Sequence, residues 1–233
     1  MAQRSTRSVL SLENAALTER YLSATPACLD LDLRRGESAI IHVDDEDEGA
    51  AMVDLCTGFV PPFGGHVRFL GVDWTTRTRP ERLRRRRRLG VVIATDVWPA
   101  HMTIMDAVLL GNLYHFDRPR EELLMEATNL ARLFGLPGLP AERRESTSRQ
   151  ALIRAACVRG FLGTPDLVLV QDPLLDRMSE LAVPMAQAIS AILRRGGAVL
   201  WIAAGTAAAA QFVEPDHVFR LRATGLLPLR RPQ

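Results

Sequence analysis

Ile40 to Gly58 reads IIHVDDEDEGAAMVDLCTG: an apolar run, five consecutive carboxylates, and an apolar run of different period. Ala39 to Val43 is expected to form a buried strand, Asp44 to Glu48 a tight loop, and Ala50 to Cys56 a helix with one apolar face. Strand, loop and helix in this order frame the phosphate-binding sequence G-x-x-x-x-G-K-[ST], whose backbone N–H groups and lysine hold phosphate oxygens. Here the loop is Asp44-Asp45-Glu46-Asp47-Glu48, followed by Gly49-Ala50-Ala51. The frame is kept and its phosphate chemistry is missing.

On the N-terminal side, Val9 to Glu13 alternates like an edge strand and Cys28 to Leu33 alternates again, before Arg35-Gly36-Glu37 turns the chain. On the C-terminal side, Pro61-Pro62 and Gly64-Gly65 mark a turn, and His66 to Gly71 reads as a short strand. Arg79 to Arg88 is an arginine-dense helix leading into the strand Leu89 to Ile93. Met102 to Phe134 is helical with a break near Phe116 to Pro119, and Met125, Leu130, Leu133 and Phe134 recur as a core face. Ser146 to Phe161 is a further helix with its loop start. A helix from Ser179 to Arg194 has Pro184 in its first turn, and Val218 to Leu221 is a last short strand. Apolar strands at 38–43, 89–93, 167–170 and 198–203, alternating with helices, predict an α/β fold with a mainly parallel sheet.

The 233 residues suit a single domain, 1–233, with a sizeable core, and 47% hydrophobic residues fit a globular chain. No apolar run approaches the ~18 residues of a membrane span, and the N-terminus lacks a secretory apolar region, so a cytoplasmic setting is expected. Cys28, Cys56 and Cys157 are too scattered for a disulfide framework or a zinc site and are read as small core residues. The net charge of +2 gives no global pull toward nucleic acid. The run Arg84 to Arg88 is better explained as a solvated helix face than as a nucleic-acid patch, because no aromatic platform accompanies it. All 29 basic residues are arginine, so a phosphate-holding lysine is impossible anywhere in this sequence.

The order of elements resembles the nucleotide-binding domain of the ATP-binding cassette (ABC) family from about Val9 to Gly225. The resemblance rests on Leu33 to Glu37 before the phosphate loop, Thr57-Gly58 to Gly71 after it, and Leu89 to Ile93 leading to the family's Q-loop. It continues with His101-Met102-Thr103-Ile104-Met105-Asp106-Ala107-Val108 after that loop. Arg154 to Arg159 resembles the signature helix, and Pro165 to Pro173 the Walker B strand. It implies a P-loop NTPase-like α/β fold with an N-terminal antiparallel β subdomain and an inserted helical subdomain at about 102–160.

Carried over residue by residue, the resemblance puts Gly49 at the family's lysine and Ala50 and Ala51 at its Ser/Thr positions. Asp44, Asp45, Glu46, Asp47 and Glu48 stand in the loop that wraps phosphates. Ala94 stands at the Q-loop glutamine, Gln171 at the magnesium aspartate, Asp172 at the general base and Ala204 at the switch histidine. The signature LSGGQ aligns with Thr147-Ser148-Arg149-Gln150-Ala151, which keeps the serine and loses both glycines. Phosphoryl transfer depends on such positioned charges, so ATP and magnesium binding are expected to be weak or absent and hydrolysis lost. Consecutive acids also lack the alternate spacing of a calcium loop, so no metal is expected.

The family implies two partners: a second cassette, in a homo- or heterodimer, and an integral membrane subunit whose coupling helix enters a groove after the Q-loop. The residues here that would line that groove are Val97, Trp98, Met102, Met105 and Tyr114. The reading is a pseudo-ATPase subunit on the inner face of the cell membrane, with Arg154-Ala155-Ala156 and the short length leaning toward the lipid-transport (MCE-type) branch. Two alternatives stay open: a scaffold or regulatory protein using the dimer face, and a weak residual ATPase with Asp172 as base.

Overall fold

The computed structural model describes residues 8–17, 28–93, 98–115, 118–171, 179–204 and 214–229. These hold β1 (Ser8–Ala16), β2 (Cys28–Arg34), β3 (Ser38–Val43), α1 (Glu46–Thr57), β4 (His66–Phe69), β5 (Val72–Asp73), α2 (Arg79–Arg86) and β6 (Leu89–Ile93). They continue with α3 (Ile104–His115), α4 (Arg120–Leu133), α5 (Arg149–Phe161), β7 (Leu167–Gln171), α6 (Ala182–Arg194), β8 (Ala198–Ala204), β9 (His217–Arg222) and β10 (Gly225–Pro228).

Two sheets result. One is antiparallel, in the order β2-β1-β4-β5; the other has the order β10-β9-β3-β8-β7-β6, parallel from β9 to β6 with β10 antiparallel at its edge. The parallel strands read as continuous apolar runs because both faces are covered. Ile40, Val168, Val170, Val199 and Trp201 point into one core with α3, α4, α5 and α6. Ala39, Ile41, Leu167, Leu169, Leu200 and Ile202 point into the other, with α1 and the antiparallel sheet. This is the α/β, P-loop NTPase-like architecture expected from the sequence.

Cys28, read as a small core residue, is exposed at the start of β2, while Cys56 and Cys157 are buried. The elements and their faces differ from the sequence expectations at four further places. The first strand, read as an edge, lies inside its sheet between β2 and β4, with Val9, Leu10, Leu12 and Ala15 buried. Its alternation is that of a strand with one face on the core, which edge and internal strands share. The strand from His66 stops at Phe69, and Leu70 and Gly71 turn the chain at φ 50° and 74°. Met125, placed on the core face of α4, is 65% exposed, while Leu123, Ala127 and Ala131 carry that face. The fourth difference is the start of α1 at Glu46 rather than Ala50, so Glu46, Asp47 and Glu48 are helical.

Candidate functional site at the end of β3

β3 delivers the chain to the C-terminal edge of the parallel sheet, where Val43 pairs with Ala204 of β8 and Gln171 ends β7 beside Ile202. The positions Asp44 to Ala51, Gln171 and Ala204 therefore converge on one edge, as the resemblance requires. Ala94, Val97 and Asp172 lie outside the described residues.

The acidic run is not an open loop. Asp45 is the N-cap of α1, in extended conformation, and its carboxylate accepts the Glu48 N–H at 2.8 Å. Glu48 reaches back and its carboxylate accepts the Asp44 N–H at 2.9 Å. This reciprocal cap occupies N–H groups that would otherwise be free at a helix start. Glu46, Asp47 and Glu48 fill the first turn of α1, where the helix dipole favours negative charge. The same end of a helix attracts a phosphate in a nucleotide site; here the chain supplies its own anions.

Two further contacts seal the arrangement. Asp44 accepts from Arg220 Nη2 at 2.6 Å and Arg222 Nη1 at 2.8 Å, both on β9. Gln171 Nε2 donates to the carbonyl of Glu46 at 3.3 Å. Gly49 is buried inside α1, and a Cβ there would lie 2.9 Å from that same Gln171 nitrogen. The residue at the magnesium position thus packs on the residue at the lysine position. Arg220 and Arg222 were missed in the sequence: R-x-R on one face of a short strand was visible, but not that β9 would lie beside β3.

The hydrogen bond from Arg220, with added attraction to Arg222, holds the Asp44 carboxyl below its ordinary value of 3.8. A carboxyl depressed on folding stabilises the fold above its unfolded pKa and loses that contribution as pH falls through the folded value. Asp44→Asn should therefore flatten the acid limb of thermal stability, melting closer to the parent at about pH 3 than at about pH 6. A constant offset across that range would show that the pair contributes nothing.

The signature-like residues sit apart from this edge. Ser148 caps α5 and accepts from the Ala151 N–H at 3.2 Å, Thr147 Oγ1 donates to the Arg143 carbonyl, and Arg149 and Gln150 are exposed in the first turn. No hydrogen bond or ion pair among the described residues joins Thr147 to Ala151 with Asp44 to Ala51. Of the expected groove residues, Trp98 is a correction: it is 4% exposed, packed in the core with the Arg159 guanidinium 4.7 Å from its ring centre. Burial lowers the Arg159 pKa to about 10. Met102 and Met105 are half-buried, Met105 against the core, and Tyr114 alone is largely open at 78%.

No protein-family profile matches the chain. Among curated proteins it is similar to the phosphonates import ATP-binding protein PhnC 1 of a Ruegeria species, at 26% identity over 167 residues, 67% of this chain and 65% of that protein. It is also similar to PhnC 1 of Pseudomonas syringae, at 26% over 180 residues, covering 71% and 66%. The molybdate/tungstate import protein WtpC of Pyrococcus horikoshii matches at 24% over 145 residues, covering 62% and 40%. The chain thus spans less than two thirds of the length of these relatives. Among solved structures, a bacterial ABC transporter cassette determined as a dimer superposes with a TM-score of 0.80 at 16% identity, covering 93% of this chain and 96% of that one. The ATP-binding subunit of an ABC transporter gives 0.78 at 17%, covering 94% and 88%. The chain thus has the fold of ABC transporter cassettes, and its sequence is similar to ATP-binding proteins of import systems.

Proposed function

We propose that this chain is a catalytically inactive cassette subunit of a membrane import complex, peripheral on the cytoplasmic face, where it binds a membrane subunit and a second cassette. The observation that carries the inactive reading is the self-capped start of α1. The N–H groups of Asp44 and Glu48 are committed to the chain's own carboxylates, and Asp44 is held by Arg220 and Arg222. An incoming triphosphate meets carboxylates where a cradle needs donors, and unit charges about 4 Å apart repel by about 4 kcal/mol at an effective dielectric near 20. The import setting is supported by the relatives, which are import proteins for phosphonates and for molybdate or tungstate. The leaning toward lipid cargo rests on Arg154-Ala155-Ala156 and on the short length of the chain. Arg154 instead ties α5 to the end of α4, donating to the carbonyls of Phe134 and Gly135 and pairing with Glu180. That role speaks for packing and not for cargo, so the relatives' small oxyanions are the better-supported class.

Equilibrium titration of the purified chain with ATP, with and without magnesium, tests the reading. We expect no saturable binding up to millimolar ATP and no turnover, together with co-purification of a multi-pass membrane protein from the native host. Micromolar ATP binding, or magnesium-dependent hydrolysis abolished by Asp172→Asn, would overturn it.

A further inference from the structure

Arg77, Arg79, Arg82 and Arg84 to Arg88 place eight arginines within twelve residues, and the sequence offered them no aromatic neighbour. Folding supplies one. Arg86 crosses from α2 to the end of α1, donating to the carbonyls of Thr57 and Gly58, and its guanidinium lies 4.1 Å from the centre of the Phe59 ring. α2 is thereby fixed against the turn that carries Phe59 and Phe63. Both rings are 66% exposed, and Leu83, one turn before Arg86, is 39% exposed. The side chains of Arg79, Arg82, Arg84 and Arg85 make no hydrogen bond or ion pair among the described residues, their backbone bonds being those of the helix. A hollow of about 400 Å³ is lined by Arg77, Glu81, Arg84, Arg85, Arg87 and Arg88.

We propose that α2 and the Phe59–Phe63 turn form a face that docks on an anionic lipid surface. Arginines lie against headgroup phosphates there, and Phe59, Phe63 and Leu83 enter the interface. Basic side chains around exposed aromatic and aliphatic groups are what such a surface selects, since charge attracts and apolar burial holds. Nucleic acid fits less well. One face of Phe59 is already covered by Arg86, whose Nε and Nη2 donate to backbone carbonyls, and Leu83 offers a base nothing to stack on. Charge polarity agrees with the lipid reading. α2 leads into the start of β6, the acidic run follows the end of β3, and these strands are parallel members of one sheet. The arginines and the carboxylates therefore lie at opposite ends of the sheet, and docking by α2 turns the acids away from the anionic surface.

The proposal takes its membrane from the import-complex reading but is tested without that complex. The purified full chain is sedimented with vesicles of phosphatidylcholine alone and of phosphatidylcholine mixed with phosphatidylglycerol. We expect binding to the anionic vesicles only, weakened by salt and reduced more than about tenfold by Arg84→Ala/Arg85→Ala, at roughly fivefold per arginine. Phe63→Trp should give an emission spectrum that shifts to shorter wavelength on those vesicles, and Phe63→Ser should bind them less. All variants lie at exposed or half-exposed positions, and their circular-dichroism melts verify folding. No sedimentation with anionic vesicles, equal binding to neutral ones, or preference for a single-stranded oligonucleotide over vesicles would overturn the proposal. None of these outcomes bears on ATP binding or on capture of a membrane subunit, which test the import-complex reading separately.

Discussion

Gly90→Ala is expected to destabilise the cassette by about 3 kcal/mol or more, enough to leave a marginal domain partly unfolded. A Cβ at Gly90 of β6 would lie 1.9 Å from the carbonyl oxygen of Gly160 on α5, and one at Gly160 would lie 2.3 Å from Val92 Cγ2. Helix and strand meet here backbone to backbone, so no side-chain rotation relieves the clash. The helix would have to retreat, and it is held by Ile153, Ala156, Cys157 and Phe161 in the core. Gly111→Ala is the matched control. Gly111 is exposed on α3 with nothing within 4 Å of its would-be Cβ, so alanine there should stabilise by about 0.5–1 kcal/mol. Urea unfolding of the two variants should move in opposite directions. Gly90→Ala within about 0.5 kcal/mol of the parent would show that α5 is free to shift.

The second large effect concerns the vestigial cradle. Glu48→Gly/Gly49→Lys/Ala50→Ser restores the second glycine, the lysine and the hydroxyl of the G-x-x-x-x-G-K-[ST] pattern, with Val43 left at its first glycine, yet is expected to leave ATP affinity weaker than millimolar. Glu48→Gly frees the Asp44 N–H, but Asp45 still caps the helix. The new lysine must displace Gln171, whose amide lies 2.9 Å from the Cβ it introduces. Asp44, Asp45, Glu46 and Asp47 remain, and unit charges about 8 Å apart repel by about 2 kcal/mol at an effective dielectric near 20. Adding Asp45→Ser, Glu46→Ser and Asp47→Gly to remove three of these charges, with Gln171→Asp to hold magnesium, should improve binding by at least about a hundredfold over the triple variant. Calorimetric titration separates the cases. Micromolar binding by the triple variant alone would show that the acidic helix start does not exclude phosphate.

The strands were legible because their signal is local. Ser38 to Val43 and Leu167 to Val170 are short, mostly apolar runs buried on both faces, as in a covered parallel sheet, and Leu89 to Ile93 is an apolar run at the sheet edge with one face partly buried. Helix periods gave α2, α4, α5 and α6 within a few residues for the same reason. The start of α1 was misplaced because five acids in a row look like a solvated loop. In the fold, Asp45 caps the helix by accepting the Glu48 N–H, and the acids that follow suit a first turn. Trp98 and Met125 exchanged their expected environments, since the stretch before α3 and the outer face of α4 acquire inside and outside only once α5 and its Arg159 are in place.

Read alone, the chain determined its α/β class and its lack of lysine, which are properties of composition, period and spacing, and its collinear motifs carried the resemblance to ABC cassettes. Tertiary structure decided what the lost site became. Asp44 meets Arg220 across 176 residues, Gln171 meets Glu46 across 125, and Arg86 meets the Phe59 ring from another helix. Such pairs depend on strand order and helix docking, which are set by closure of the whole core, and no local pattern in either partner encodes them.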